Sequence, residues 1–327
     1  MRNIKGLLSG FANATKKAPI LGSVQFALYE QYWKVRTERE WRARYAASPL
    51  VSTGSDHPEP TLAALTSQLC TASQCRDDIY TDWCQQMRSP ARLARKQWEF
   101  VFTLEALEQA GMLRPGMRGL GFGCGGEPLS AVMARRGAEV LATDLPTVEA
   151  AEKGWVQSNE HAANLDALNS YGICPPIEFG QRVAFEFANM NAIPERFSGQ
   201  FDFVWSCCAF EHLGSIRHGL DFVKNAMRCL KPGGVAVHTT EFNLSSNEQT
   251  LEDPGCVIFR RQDIERLRDE LAADGHSMAP LNFNAGRVPV DHHIDAPPYS
   301  ATPHLKIELE GYVATSIGLI VRNGVES

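Results

Sequence analysis

The chain is expected to be an α/β protein built on a doubly wound sheet, and three observations carry that expectation. Gly121, Gly123 and Gly125 fall at alternate positions after the apolar Leu120, and Pro128 with Leu129, Val132 and Met133 follows at helical spacing. Gly137 then precedes a short apolar run, 140–142, which ends in Asp144. From there strand-like and helix-like segments alternate to the C-terminus, the pattern of a parallel sheet flanked by helices.

Each part of the first unit has a physical reason. Closely spaced glycines tolerate φ > 0 and let a ligand approach the main chain. Pro128 suits a first helical turn, where a missing N–H costs nothing, and Gly137 stands where a C′ glycine stops a helix. A strand, a glycine turn, a helix and a second strand ending in a carboxylate form the first half of a nucleotide-binding sheet. The carboxylate lies about twenty residues past the glycines, where it can accept hydrogen bonds from ribose hydroxyls.

Composition bounds the rest. The 327 residues, 44% hydrophobic and 21% charged, describe an ordinary globular protein of one domain plus an appendage. Net charge of −6 argues against a broad nucleic-acid surface, so no nucleic-acid partner is expected. No apolar run approaches the roughly 18 residues of a membrane-spanning helix. Nine cysteines without C-x-x-C pairs read as reduced thiols, and the expected location is cytoplasmic.

Two parts are expected: a helical N-terminal extension over 1–89, acting as lid or oligomer surface, and the main domain over 90–327. Arg2, Lys5, Lys16 and Lys17 precede the first acid, Glu30, with no signal-peptide core, giving a basic docking arm or a weak membrane-surface contact. A helix over 24–47 carries Tyr29, Trp33, Trp41 and Tyr45 on one ladder, a surface for the main domain or for a second copy in a homodimer. Residues 48–60 read as a linker, and 61–87 as helical, its Cys70, Cys75 and Cys84 lacking metal-ligand spacing.

Pro90 starts a stronger helix with Leu93, Gln97, Phe100, Val101, Leu104 and Leu107 on one face and Gly111 at its end. It should flank the sheet and close one side of a ligand cleft. After Asp144 come a helical stretch to 169, a break over 172–176, and a strand over 183–187 that delivers Asn189, Met190 and Asn191. A strand over 201–205 leads to residues 206–212. A helix over 222–230 ends in the Lys231-Pro-Gly-Gly turn, and a strand over 235–240 ends in Glu241. A helix over 264–271, a strand near Leu281, a proline- and histidine-rich loop over 286–304 and a strand within 312–321 complete the pattern. Ligands of such sheets bind outside the carboxyl ends of the strands.

Five motifs occur in order: Gly121-Phe-Gly-Cys-Gly-Gly-Glu, Ala142-Thr-Asp-Leu, Asn189-Met-Asn, Phe201-Asp-Phe-Val-Trp-Ser-Cys-Cys-Ala-Phe-Glu-His-Leu and Leu230-Lys-Pro-Gly-Gly-Val. Together they make residues 90–327 resemble the class I S-adenosylmethionine-dependent methyltransferases. The resemblance implies a Rossmann-like, mostly parallel, seven-stranded sheet with an antiparallel last strand, and S-adenosyl-L-methionine as cofactor. It implies that Gly121, Gly123 and Gly125 pass under the methionine and ribose, and that Asp144 binds the ribose hydroxyls. Leu145 would pack on adenine, Asn189 and Met190 would meet its edge, and Ser206 and Cys207 would lie near the transferred methyl. Two departures stand out: the family has an acid where this chain has Gly121, and a glycine where it has Glu127. Glu127 would then supply the missing anion for the cofactor's ammonium.

The implied activity is methyl transfer to a small-molecule or saccharide acceptor, with oxygen as the expected acceptor atom. A hydroxyl acceptor needs a base, and the candidates at strand ends and loops are Glu211, His212, Glu241, His292, His293 and His304. His238 reads instead as a satisfied strand residue. The His292-His293-x-Asp295 run with His304 fits no standard metal spacing, so no metal is expected. Its prolines favour an ordered loop over the acceptor, with Tyr299 and the histidines touching it. Cys207-Cys208 reads as packing thiols. Two rival readings are a nicotinamide-dependent oxidoreductase and a non-catalytic partner that binds the cofactor.

Overall fold

The structure, a computed structural model, describes residues 57–147, 161–162 and 164–324. The basic arm, the aromatic helix over 24–47, most of the linker and much of the stretch after Asp144 lie outside these residues.

Its first strand, β1 (Ser67–Leu69), falls where a helix was expected, and helical structure in that stretch is confined to a 3-10 turn, Gln74–Arg76, and the following α1 (Asp78–Gln86). Three residues buried on both faces show no alternation in the sequence, which is why the strand is illegible there. Next come α2 (Arg95–Gln109), β2 (Arg118–Gly121), α3 (Leu129–Arg135), β3 (Glu139–Asp144), α4 (Pro176–Arg182) and β4 (Val183–Phe187). Then follow β5 (Phe201–Cys207), α5 (Ile216–Met227), β6 (Leu230–Asn243), β7 (Glu252–Asp253), β8 (Cys256–Val257) and α6 (Arg261–Ala273). The chain closes with β9 (Ser277–Met278), β10 (Leu281–Asn282), β11 (Ile294–Asp295), β12 (Lys306–Leu309) and β13 (Tyr312–Arg322).

The main sheet runs β10-β1-β13-β6-β5-β2-β3-β4. Strands β2 to β6 are parallel, and the late strand β13 lies antiparallel to β6, as expected. The sheet has eleven strands rather than seven: β2 to β6 and β13 form its body of six, and the short β1, β9, β10, β11 and β12 add to it beside β13. The helix expected over 222–230 begins earlier, at Ile216, where the Ser215 Oγ accepts from the His218 N–H at 3.1 Å. The Lys231-Pro-Gly-Gly segment forms the irregular start of β6 rather than a separate turn.

Side-chain alternation divides the core. Phe203, Trp205 and Cys207 of β5 join one apolar cluster with α1, α2 and α3, while Val204 joins the opposite cluster with α5 and α6. Helix α2 is buried nearly all round, from Gln97 and Trp98 to Ala106 and Leu107, because α1 covers the side turned away from the sheet.

The boundary expected at residue 90 falls inside this packing. Strand β1 pairs with both β10 and β13, Trp83 Nε1 donates to Glu105 at 2.7 Å, and Trp98 Nε1 donates to Gln74 at 2.9 Å. A fragment beginning at residue 90 would lose the buried Leu62, Leu69, Tyr80 and Trp83, each worth about 1.5–3 kcal/mol. Against a total stability of about 5–15 kcal/mol, that fragment should show no cooperative thermal transition by circular dichroism. A sharp transition would show that residues 57–89 are dispensable to the fold.

Candidate functional site

The parallel strands place their carboxyl ends along one rim, where the glycine turn begins. Gly121 closes β2, and a Cβ there would stand 2.3 Å from Trp205 Cζ2 and 2.4 Å from Cys124 Sγ. The Trp205 ring occupies the room that an acidic side chain would need. Gly123 follows with φ +59°, and a Cβ on it would meet the Ala209 Cβ at 2.9 Å. Thr143 Oγ1 donates to the Gly121 carbonyl at 2.7 Å, and Cys124 N donates to the Thr143 carbonyl at 3.0 Å, pinning the turn to β3.

Asp144 completes the turn. Its Oδ2 accepts from Gly125 N at 3.1 Å and Ala162 N at 3.0 Å, and its Oδ1 accepts from Leu145 N at 2.8 Å. Burial raises its carboxyl above the ordinary value, while these N–H donors pull the other way.

A cavity of about 300 Å³ opens on this rim. Its lining includes Asp144, Leu145, Tyr171, Asn189 and Met190, the turn glycines Gly123 and Gly125, and Lys96, Phe100, Glu127, Cys207, Cys208 and His212. Lys96 lies 3.7 Å from Glu127, whose Oε2 is buried without a hydrogen-bond partner. Burial, with help from Glu99 and Asp144, raises the Glu127 carboxyl to about 8, against the pull of Lys96. His212 Nδ1 lies 2.7 Å from the Gly255 carbonyl, so it carries the proton and Nε2 is the basic nitrogen.

Behind Cys208 sits a group of buried charges. Arg95 Nη1 reaches Glu241 Oε1 at 2.6 Å and Glu99 Oε1 at 3.5 Å. Burial opposes the Arg95 charge, but Glu241, Cys208 and Glu99 outweigh it and hold the pKa above the usual value. Burial, with Glu211 and Glu99, raises the Glu241 carboxyl to about 7 despite Arg95. Glu211 is 1% exposed and accepts from Thr240 Oγ1 at 3.0 Å.

Of the predicted cofactor residues, Gly123, Gly125, Glu127, Asp144, Leu145, Asn189, Met190 and Cys207 line the cavity. Gly121 lies beneath it against Trp205. Ser206 points to the other face of β5, where its Oγ bonds His238 Nδ1 at 2.8 Å. The two-residue period of the strand makes Cys207 and Ser206 mutually exclusive on one face. His238 is the buried strand residue expected, held neutral because burial lowers its pKa to about 3.

Among the predicted bases only His212 lines the cavity; Glu211 precedes it in the chain, and Glu241 Oε1 lies 3.9 Å from the Sγ of the lining residue Cys208. His293 and His304 do not line it. His304 Nδ1 binds Asp295 at 2.7 Å, and its backbone pairs with Leu93 and Arg95 at the start of α2. His293 is buried within the loop and His292 is exposed. The loop is tied down by Asp291, which accepts from Ala72 N at 2.8 Å, so it joins the N-terminal strand region rather than the cavity. Lys96, Glu99 and Arg95 were missed as site residues, because in the sequence they read as the polar side of a flanking helix.

A parallel sheet, a glycine turn held by a strand-end carboxylate and a rim cavity define a nucleotide-cofactor protein of the Rossmann-like class. A family model described as "Methyltransferase domain" matches residues 92–284, more than half of the chain. The chain belongs to that family, among the class I methyltransferases that use S-adenosylmethionine. A curated relative, the ubiquinone biosynthesis O-methyltransferase of Psychrobacter arcticus, is 32% identical over 125 residues, 38% of this chain and 41% of the relative. The chain thus spans about two fifths of that relative's length.

Solved structures similar in fold include magnesium protoporphyrin IX methyltransferase from Synechocystis PCC 6803 with bound S-adenosylhomocysteine. It is 13% identical with a TM-score of 0.40, covering 73% of this chain and 93% of that one. The [4+2]-cyclase SpnF is 18% identical with a TM-score of 0.46, covering 69% and 82%. Family membership displaces the nicotinamide reading. Among the described residues no helix is long and apolar enough to cross a membrane.

The Trp205 ring explains the missing acid at position 121, and the explanation can be tested. Gly121→Asp should lower stability by about 1–3 kcal/mol in denaturant unfolding, the range for overpacking a filled core. An unchanged midpoint would mean that Trp205 moves aside at no cost.

Proposed function

We propose that this chain transfers the methyl group of S-adenosylmethionine to a small-molecule or saccharide acceptor, at oxygen, by in-line displacement. One observation carries the reading: Asp144, the glycine turn, Cys208 and His212 all line the same cavity. The O-methyltransferase name of the Psychrobacter relative supports oxygen.

The residues suit the cofactor. Gly123 lacks the Cβ that would narrow the floor, and Glu127 carries a buried carboxylate oxygen with no hydrogen-bond partner, suited to an ammonium. Asp144 keeps lone pairs beyond the three N–H bonds it accepts, enough for ribose hydroxyls. Leu145 would cover adenine, and Asn189 with Met190 would meet its edge. When bound, the cofactor supplies a sulfonium-activated methyl group. The chain's own work is then to hold an acceptor in line, exclude water and remove a proton. Phe100, Met190 and Leu213 give the cavity apolar walls, and His212 Nε2 is the proposed base.

The assignment is tested by incubating the protein with methyl-labelled cofactor and a metabolite extract, then finding the labelled product by mass spectrometry. Label on a hydroxyl oxygen is expected, and label on nitrogen or carbon would overturn the oxygen reading. With that acceptor in hand, His212→Gln should lower kcat by about 10²–10⁴-fold with S-adenosylhomocysteine affinity kept. Normal turnover would shift the base to Glu211 or Glu241.

For the cofactor end, Gly123→Val should abolish S-adenosylhomocysteine binding in calorimetry, since a branched side chain at φ +59° both strains the turn and fills the floor. Asp144→Ala should weaken it by about 1.5–3 kcal/mol, the scale of hydrogen bonds to a charged group. Normal affinity in both variants would place the cofactor elsewhere.

Glu127 makes that affinity depend on pH. In the free protein its carboxyl titrates at about 8, so at neutral pH it is mostly protonated, and an incoming ammonium favours the ionised form. Binding should therefore release a proton, and affinity should rise with pH up to about 8 and then level off. Burial first, and then Lys96, Glu99 and Asp144, which face the same carboxyl, set that midpoint. Calorimetry from pH 6 to 9 should show this rise, and Glu127→Gln should remove it. A flat profile in the unmodified protein would detach Glu127 from the ammonium.

A further inference from the structure

We propose that Cys208, Glu211 and Glu241 form a site for one divalent cation of the zinc class beside the cofactor cavity. A ligand atom from each of the three lies within 4.8 Å of the others. Cys208 follows β5 directly, Glu211 sits three residues on in the 3-10 turn Phe210–His212, and Glu241 lies near the end of β6, so the connection after β5 and the end of β6 converge on one point.

Acidic side chains gather for many reasons, and a second observation sets this group apart. Glu211 Oε1 and Glu241 Oε2 are buried and accept no hydrogen bond from the described residues, although Glu211 is 1% exposed and Glu241 5%. A buried carboxylate oxygen without a donor is costly to keep. The other oxygen of each is held in place, Glu211 Oε2 by Thr240 Oγ1 at 3.0 Å and Glu241 Oε1 by Arg95 Nη1 at 2.6 Å. A carboxylate held by a neighbour through one oxygen, with its second oxygen unpaired, can take a cation, and Glu241 Oε1, the oxygen Arg95 holds, is also the one 3.9 Å from Cys208 Sγ.

Charge points the same way. With Cys208 as thiolate, Cys208, Glu99, Glu211 and Glu241 are four acidic groups facing Arg95 and a Lys96 that is shared with Glu127, and a divalent cation would offset the excess of negative charge. The thiol proton leaves to solvent as the metal–sulfur bond forms. Arg95 Nη1, 3.7 Å from Cys208 Sγ, then stays as a hydrogen-bond donor to the bound thiolate.

One thiolate and two carboxylates suit zinc rather than magnesium or calcium, which take oxygen donors. Bonds of about 2.0–2.3 Å would draw the ligand atoms to roughly 3.3–3.8 Å apart, a modest contraction. Three protein ligands leave a fourth position open, and Cys208 itself lines the cavity. For the ion's role, though not for its site, the inference rests on the methyl-transfer reading: an acceptor hydroxyl at the open position would lose its proton more readily.

The test uses tag-free, full-length protein, stripped with chelator and titrated with cobalt(II), then zinc(II). One equivalent of cobalt should bind, with a thiolate charge-transfer band in the near ultraviolet that zinc abolishes. Cys208→Ser should lose the band, and Glu211→Gln should weaken zinc binding at least about tenfold. Both variants leave Arg95 paired with Glu241, so folding, followed by thermal melts, should survive. No stoichiometric uptake overturns the site, as does an unchanged band in Cys208→Ser or unchanged affinity in Glu211→Gln. S-adenosylhomocysteine binding is measured on the same samples. Its presence without metal uptake overturns the metal site alone, and metal uptake without it overturns the methyl-transfer reading alone.

Discussion

The carboxylate of Glu99 holds the functional half of this molecule in register. It is 0% exposed on α2 and accepts from Thr239 Oγ1 of β6 at 3.1 Å, from Cys208 Sγ at 3.1 Å and from Ser316 Oγ of β13. Arg95, one turn back, lies 3.5 Å away, and Lys96 3.9 Å. A single charge therefore ties the helix to two strands and to the loop after β5. Removing one partner of such a buried group costs about 3–5 kcal/mol, because the others are left bare. The same anchoring puts Lys96 and Phe100 on the cavity wall and Arg95 against Glu241.

Burial rather than surface charge shapes the chemistry. The exposed pairs Arg196–Glu186 and Arg217–Asp221 lie in solvent, where such pairs contribute little. Inside, the same carboxyl chemistry is held near neutrality, at about 8 for Glu127 and about 7 for Glu241, because desolvation outweighs Lys96 and Arg95. Groups poised there can exchange a proton or gain a cation near physiological pH, which a solvated glutamate does not do.

The histidine-rich loop shows the opposite case. Asp291 is buried with Lys306, whose Nζ donates to the Cys70 carbonyl at 2.7 Å, and His304 is spent on Asp295. These polar groups join the loop to the N-terminal strand region and to the start of α2. Their composition suggests a binding loop, yet their partners are structural.

How much of this was legible in the sequence follows from the range of the forces involved. The glycine turn, Pro128, Gly137 and the carboxylate Asp144 act within about twenty residues of one another, so their spacing alone determined the fold class and the rim on which the cavity opens. Strand β4 came out at its predicted bounds for the same reason, through local alternation. Other features depend on contacts between distant segments. Trp205 excludes an acid at Gly121, and the face of β5 turns Ser206 to His238 instead of the cavity. Strand β1 is a strand only because β13 and β10 pair with it. Arg95, Lys96 and Glu99 read as one polar helical turn until packing buries Glu99 against β6 and β13 and turns that stripe into the wall of a site. Periodicity records which face of an element is apolar, whereas the partner of a buried charge is chosen only when distant strands close around it.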